Sequence, residues 1–168
     1  MLRGRAVTLR PATDADVPTL AAIRATPEVR RWWRGGDDLA GEIRADLADD
    51  ELTVYAIEHD GRVVGAIQCS AETEPDYRHA SLDLFLAPEV RGAGLGGDAI
   101  RTLVRHLIDE HGHHRFTIDP AAANTAAIRA YAKVGFRPVG IMRRYERGAD
   151  GRWHDGLLMD LLAEDLRD

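Results

Sequence analysis

The chain has 168 residues, with 28 Asp and Glu against 22 Lys and Arg and a single cysteine, Cys69. The length predicts one domain over 1–168 with a substantial core. The acidic balance disfavours nucleic acid and suits a cationic substrate, and the lone cysteine excludes an internal disulfide framework and fits a reducing cytoplasm. No apolar run is long enough to span a membrane, and Met1-Leu2-Arg3-Gly4-Arg5 lacks the apolar core of a signal peptide.

Arg5 to Arg10 alternates Ala6, Val7 and Leu9 with polar residues, which predicts a first strand ending at Pro11. Thr13-Asp14-Ala15-Asp16 offers a cap for a helix over about 14–25, with Val17, Leu20, Ala21 and the stem of Arg24 on its apolar face. Leu39, Ile43 and Leu47 recur at period four and predict a second helix over about 38–48. Leu52–His59 and Arg62–Ser70 flank Asp60-Gly61, a two-residue hairpin signal, and Ser81–Ala87 reads as a third strand of this block. Ile100, Leu103, Val104, Leu107 and Ile108 mark a helix closed by His111-Gly112. A short strand, Arg115–Asp119, ends at Pro120. Asn124 then caps a helix carrying Ala127, Ile128, Tyr131 and Val134, ended by Gly135. Strands over about 136–147 and 152–162 flank Asp150-Gly151. The order is β-α-α-β-β-β-α-β-α-β-β: an α/β fold with a mixed sheet, one parallel pair around the glycines and antiparallel hairpins elsewhere.

Between Ser81–Ala87 and the long helix lies Val90-Arg91-Gly92-Ala93-Gly94-Leu95-Gly96-Gly97, four glycines in six residues read as sitting just ahead of the helix. Glycine lets backbone N–H groups face a ligand, and a helix N-terminus adds unpaired donors and partial positive charge, so the segment predicts a phosphate or pyrophosphate site. Gly92-x-Gly94-x-x-Gly97 also matches the dinucleotide fingerprint, with Asp119 about where a ribose-binding acid belongs. The context opposes that reading. Ala87 to Arg91 separates the strand from the first glycine, Asp83 interrupts what should be an apolar strand, and hairpins flank the motif in place of repeated βαβ units.

Arg91-Gly92-Ala93-Gly94-Leu95-Gly96 resembles the R/Q-x-x-G-x-G/A loop of the GNAT superfamily of acetyl-CoA-dependent N-acetyltransferases. Asn124-x-x-Ala127-x-x-x-Tyr131-x-x-x-Gly135-Phe136 matches the signature after the next strand, and the element order fits over essentially the whole chain. Within the superfamily the chain looks most like aminoglycoside 6′-N-acetyltransferases. That likeness rests on Val7-Thr8-Leu9-Arg10-Pro11, Glu28-Val29-Arg30-Arg31-Trp32-Trp33, Thr117-Ile118-Asp119-Pro120, Asn124 and Ala127-Ile128-Arg129-Ala130-Tyr131.

The resemblance implies a mostly antiparallel sheet with a central, splayed parallel pair. It also implies transfer of an acetyl group from acetyl-CoA, as co-substrate, to a primary amine by direct attack. Backbone of Gly92, Ala93, Gly94, Leu95, Gly96 and Gly97 would hold the pyrophosphate, with Arg91 adding charge. Leu84, Phe85 and Leu86 would meet the pantetheine arm, and Asn124 and Ala127 would complete the cofactor side. Asn124 equally suits a plain helix cap.

An amine with a lysine-like pKa near 10.4 is neutral in only about one part in a few thousand at pH 7, so a carboxylate must bind it and take its proton. Asp83, turned opposite to Leu82 and Leu84, is the first candidate. Asp119 is the second, with an Asp-Pro turn as its plain alternative. Tyr131 is the candidate acid for the leaving thiolate, with core packing as the alternative. One of Trp32 and Trp33 is expected in the acceptor pocket, and Asp155 is expected to reach it from the last hairpin.

His111, His113 and His114 read as a solvated loop rather than a metal site, and Cys69 as a packed residue rather than a nucleophile. No metal is expected, and nothing in the sequence demands a second subunit. The leading expectation is aminoglycoside acetylation, with the antibiotic resistance that implies. Protein N-terminal or lysine amines and small polyamines are alternative acceptors, and a non-catalytic acetyl-CoA sensor is the alternative of a different class.

Overall fold

Eight strands form one sheet in the computed structural model, which describes residues 1–168. In chain order the strands are β1 (Leu2–Arg3), β2 (Thr8–Pro11), β3 (Leu52–His59), β4 (Arg62–Glu72), β5 (His79–Leu86), β6 (Arg115–Ile118), β7 (Arg137–Arg147) and β8 (Trp153–Leu162). Their spatial order is β1-β2-β3-β4-β5-β6-β8-β7, antiparallel throughout except for β5 and β6. The helices are α1 (Val17–Arg24), α2 (Pro27–Arg30), α3 (Leu39–Ala48), α4 (Leu95–His111) and α5 (Thr125–Val134). No helix is long and apolar enough to cross a membrane.

Strand alternation divides the interior in two. On β5, Ala80 and Leu82 face one core with Ile100, Leu103 and Val104 of α4 and Val134 of α5. Phe85, and Ala87 just beyond the strand, face a second core with Val17, Leu20 and Ile23 of α1, Val29 of α2 and Ile43 of α3. Asp83 shares the parity of Phe85, so its side chain leaves the sheet on the α1–α3 side.

The expected strand over 5–10 is shorter and shifted. The N–H groups of Arg5, Ala6 and Val7 go to the carboxylate of Asp98 in the first turn of α4, at 3.0, 2.7 and 3.0 Å, and not to a strand ladder. The expected helix over 14–25 begins as a 3-10 turn, Asp14–Asp16, and becomes α-helical at Val17. The single turn α2, with Pro27 at its start, falls in a stretch with no apolar periodicity. β4 and β5 run longer than predicted because Glu72 pairs with His79 beyond the apolar segment.

Candidate active site

The glycine segment divides at Leu95. That side chain is buried in the α4 core, so the helix starts there, and Gly96 and Gly97 form its first turn instead of preceding it. Gly92 and Gly94 take φ of +81° and +79°, with nothing within 4 Å of where a Cβ would stand, so it is conformation and not space that calls for glycine. Asp98 N–H donates to Gly94 O at 3.1 Å, closing the first turn of α4. The N–H groups of Leu95, Gly96 and Gly97 precede any helical acceptor and point outward with the positive end of the helix dipole. The one carboxylate of that turn, Asp98, is occupied by Arg5 to Val7 and carries its charge away from the mouth of the helix. Arg91 is exposed and ties the loop to α2 through Glu28 O at 3.4 Å. These residues fit a pyrophosphate.

β5 and β6 pair only at Ala80 with Phe116 and Ser81 with Thr117, where Ser81 Oγ and Thr117 Oγ1 lie 2.8 Å apart. Beyond that point β6 is drawn to β8. Ile118 pairs with Met159, Leu157 N–H donates to Pro120 O, and Ala122 N–H donates to Asp155 O. The parallel pair therefore splays, as the resemblance implies. Ala87 N–H donates to Val64 O at 2.7 Å, so alternation turns the backbone of Leu84 and Leu86 into the gap. Phe85, expected beside them, is a correction: its backbone turns to β4 and its ring packs edge-on against Trp33, with centroids 5.0 Å apart.

On the α1–α3 side the gap opens into a cavity of about 570 Å³ lined by Trp32, Trp33, Glu42, Asp83 and Glu146, with Arg34 and Arg147 among its remaining walls. Both tryptophans line it, where one was expected. Trp33 stands on Phe85 and beside the buried guanidinium of Arg24, which pairs with Glu42 at 2.9 Å. Arg31 stacks on Trp32 with its guanidinium carbon 4.5 Å from the ring centroid.

Asp83 lies at the floor of this cleft. Water reaches it, yet protein surrounds it, and that enclosure together with the charges of Asp119 and Glu146 pushes its carboxyl up to about 7. Its Oδ1 accepts the Leu84 N–H at 2.9 Å, which opposes the rise only in part. Asp119 accepts a 2.7 Å hydrogen bond from Tyr145 Oη, so it makes a side-chain contact beyond the Asp-Pro turn. That bond is the largest cause of the rise of the Tyr145 hydroxyl to about 12. Tyr131 packs against the α4 core with its ring centroid 6.3 Å from that of Phe136. Burial, then the charges of Asp83 and Asp119, push its hydroxyl above the ordinary tyrosine value, so it stays protonated at neutral pH.

Two expectations, those for Asp155 and His113, need correction. Asp155 is not among the cleft's lining residues; its Oδ1 accepts the Arg144 N–H at 2.9 Å. Asn124 Oδ1 accepts the Ala127 N–H at 3.2 Å, the helix cap that was one of its two expected roles. His113 is buried beside Phe116, and burial lowers its pKa, so only His111 and His114 are exposed. Cys69 is buried, and its thiol is pushed up to about 11, in keeping with a packed residue. Tyr145, Glu146, Glu42, Arg34 and Arg147 had not been anticipated. Only the adjacency of Arg34 to the tryptophans carried a signal in the sequence.

The family of the Acetyltransferase (GNAT) domain matches residues 6–137. An aminoglycoside N(6′)-acetyltransferase type 1 of Klebsiella pneumoniae is 30% identical over 155 residues, covering 80% of this chain and 75% of that protein. The structure of Mycobacterium smegmatis RimJ in complex with CoA-disulfide superposes with a TM-score of 0.84 at 27% identity, covering 99% of this chain and 88% of that one. AAC(6′)-Ib in complex with paromomycin and acetyl-CoA superposes with a TM-score of 0.78 at 26% identity, covering 95% of each chain.

Proposed function

The chain belongs to the acetyltransferase (GNAT) family and is an acetyl-CoA-dependent N-acetyltransferase, and on that premise we propose that it acetylates the 6′-amine of an aminoglycoside bound in the cleft above Asp83. The observation that carries this reading is the lining of the cleft. Glu42, Asp83 and Glu146 stand with Trp32 and Trp33, and Asp119 adds its charge from the edge of the gap. Several carboxylates beside flat aromatic faces suit a polycation built of rings. The likeness to an aminoglycoside N(6′)-acetyltransferase supports the same acceptor.

Acetyl-CoA supplies the activated acyl group. On the chain's side, the N–H groups of Gly92 to Gly97 and the charge of Arg91 bind the pyrophosphate at the start of α4. The backbone of Leu84 and Leu86 meets the pantetheine arm in the gap. Asp119 holds the ammonium form of the acceptor. Asp83, with a carboxyl near 7, takes one proton from the ammonium and passes it to solvent, then takes the second as the freed amine nitrogen bonds to the thioester carbonyl carbon. Tyr131, protonated and enclosed, gives its proton to the sulfur as the C–S bond breaks. Solvent then reprotonates Tyr131 and removes the proton from Asp83, so that the balance is amide, free thiol and one proton.

One observation favours a second reading. Arg34 and Arg147 also line the cleft, and they suit an acceptor that carries an acid near its amine, such as the N-terminal segment of an acidic peptide. Thiol release with acetyl-CoA, measured across kanamycin-type aminoglycosides, polyamines and peptides with free α-amines, separates the readings. Turnover on aminoglycosides is expected. Turnover confined to peptides would replace this reading with the second, and none on any of these amines would overturn both acceptor assignments.

A further inference from the structure

We propose that Tyr145 is a positioning residue for Asp119, and that the left-handed turn at Arg144, pinned by Asp155, presents it to the acceptor cleft. The inference rests on the acceptor-site reading above. It begins with a break in the β7–β8 ladder. Met142 pairs with Gly156 and Glu146 with His154, so Arg143, Arg144 and Tyr145 stand opposite the single residue Asp155. Such a bulge re-aims the side chains that follow it.

The bulge depends on an unfavourable backbone. Arg144 has φ +48°, a conformation that a residue with a Cβ avoids. Its N–H, turned away from the ladder, is taken by Asp155 Oδ1 at 2.9 Å. The next residue, Tyr145, lays its ring on the backbone of Gly156. A Cβ at position 156 would stand 2.9 Å from Tyr145 Cδ1 and 3.5 Å from Tyr145 Cβ, so a glycine there leaves the ring its seat. From that seat the hydroxyl donates to Asp119 Oδ2 at 2.7 Å.

Little of this serves the fold. Tyr145 is 47% exposed and belongs to neither core. Its hydroxyl and the Asp119 carboxylate would both find water if the bulge were ironed out. What the bulge adds is direction. A donor held on Oδ2 fixes the orientation of the Asp119 carboxylate and leaves its other oxygen free for an ammonium in the gap. Tyr145 directly precedes Glu146 and Arg147, which line the cleft.

The test uses the full chain with acetyl-CoA and an amine that the wild type acetylates. Tyr145→Phe keeps the ring on Gly156 and removes only the donor. It is expected to lower kcat/KM for the amine on the order of tenfold or more, with KM for acetyl-CoA and the melting temperature unchanged. Asp155→Ala should lose as much, whereas Asp155→Asn, whose amide oxygen still accepts from Arg144, should keep most of the activity. Arg144→Gly added to Asp155→Ala should restore it, because glycine takes a positive φ unaided. Asp83→Asn and Asp119→Asn serve as controls on the site. If they lose activity while Tyr145→Phe and Asp155→Ala stay within about twofold of wild type, the positioning role is overturned and the site stands. If the two controls have no effect, the acceptor-site reading fails first and this inference fails with it. Equal losses in Asp155→Ala and Asp155→Asn, unrelieved by Arg144→Gly, would overturn the pinned turn.

Discussion

Asp98 Oδ2 accepts the Ala6 N–H at 2.7 Å across 92 residues of chain, and this bond, with those from Arg5 and Val7, ties the first turn of α4 to the segment before β2. A carboxylate in the first turn of a helix normally stabilises the helix by facing its free N–H groups. Here the carboxylate turns to the backbone of a neighbouring segment instead. The helix keeps its positive end open toward the glycine loop, and the sheet edge at β1 and β2 is tied to the cofactor side of the molecule.

Replacing Asp98 with Ala is expected to strand those donors, of which Val7 is buried. The expected loss is about 2–4 kcal/mol, summing donors left partly unsatisfied, read by urea unfolding. KM for acetyl-CoA should rise, because the start of α4 loses its tether. These hydrogen bonds hold the Asp98 carboxyl below its ordinary value against the opposing effect of burial. Its contribution is therefore present above the unfolded pKa near 3.9 and fades as pH falls through the lower folded value. A variant as stable as wild type at pH 7 would contradict this account.

Asp83 has the opposite sign. Its folded carboxyl is raised from 3.8 to about 7, so the folded state binds the proton more tightly than the unfolded chain does. That stabilisation is complete below the unfolded value and is lost as pH rises toward 7. Asp83→Asn removes the charge, so its melting temperature should exceed that of wild type at pH 8 and match it near pH 4. In kinetics, kcat/KM for the amine should rise with pH through about 7 in wild type as Asp83 loses its proton. That acidic limb should vanish, along with most of the rate, in the variant. A surviving limb would assign the titration to another group.

How much of this was legible in the sequence follows from the range of the interactions involved. Strand parity placed Asp83 opposite Leu82 and Leu84, and the spacing of Asn124 to Tyr131 placed the α5 block, because both follow local periodicity. The Tyr145–Asp119 bond was invisible: it depends on a bulge that puts two extra residues into β7 after Met142, and a period-2 pattern does not register an even insertion. Asp155, expected in the cleft, instead accepts the backbone N–H of Arg144, a partner no side-chain motif could name. His113 read as solvent-exposed because its neighbours are, yet the chain turning from Gly112 into β6 folds it down onto Phe116. The start of the long helix inside the glycine run was hidden by composition, as a buried Leu95 outweighs two poor helix formers.

Gly94 precedes α4 in the left-handed region at φ +79°, in open space. Gly94→Ala should therefore act through backbone strain alone, about 1–2 kcal/mol, and through distortion of the N–H groups facing the pyrophosphate. Isothermal titration is expected to show weaker acetyl-CoA binding, with kcat at saturation largely kept. Gly96→Ala provides the contrast. It lies within the helix, where a Cβ would meet Leu86 Cδ1 at an ordinary 3.5 Å, so the fold should accept it, and any loss there reports crowding of the cofactor arm rather than strain. Equal affinity in the Gly94 variant and wild type would remove the loop from the binding site.

Tyr131 separates chemistry from packing. Its ring packs against the α4 core and beside Phe136, and its hydroxyl is raised by burial and by the charges of Asp83 and Asp119. Tyr131→Phe keeps the ring contacts and deletes only the proton donor. A general acid contributes about 10²–10⁴-fold, so kcat should fall within that range for a poor leaving group and less for a thiolate, whose low basicity makes protonation less critical. The expected loss is thus at the lower end, roughly 10²-fold, with acetyl-CoA affinity and melting temperature unchanged. Replacing acetyl-CoA by an acyl donor with a more acidic thiol should shrink the gap between variant and wild type, because a better leaving group needs less help. A gap independent of the leaving thiol would assign Tyr131 to packing and orientation, and the proton for the sulfur would then have to come from solvent or from the acceptor side of the cleft.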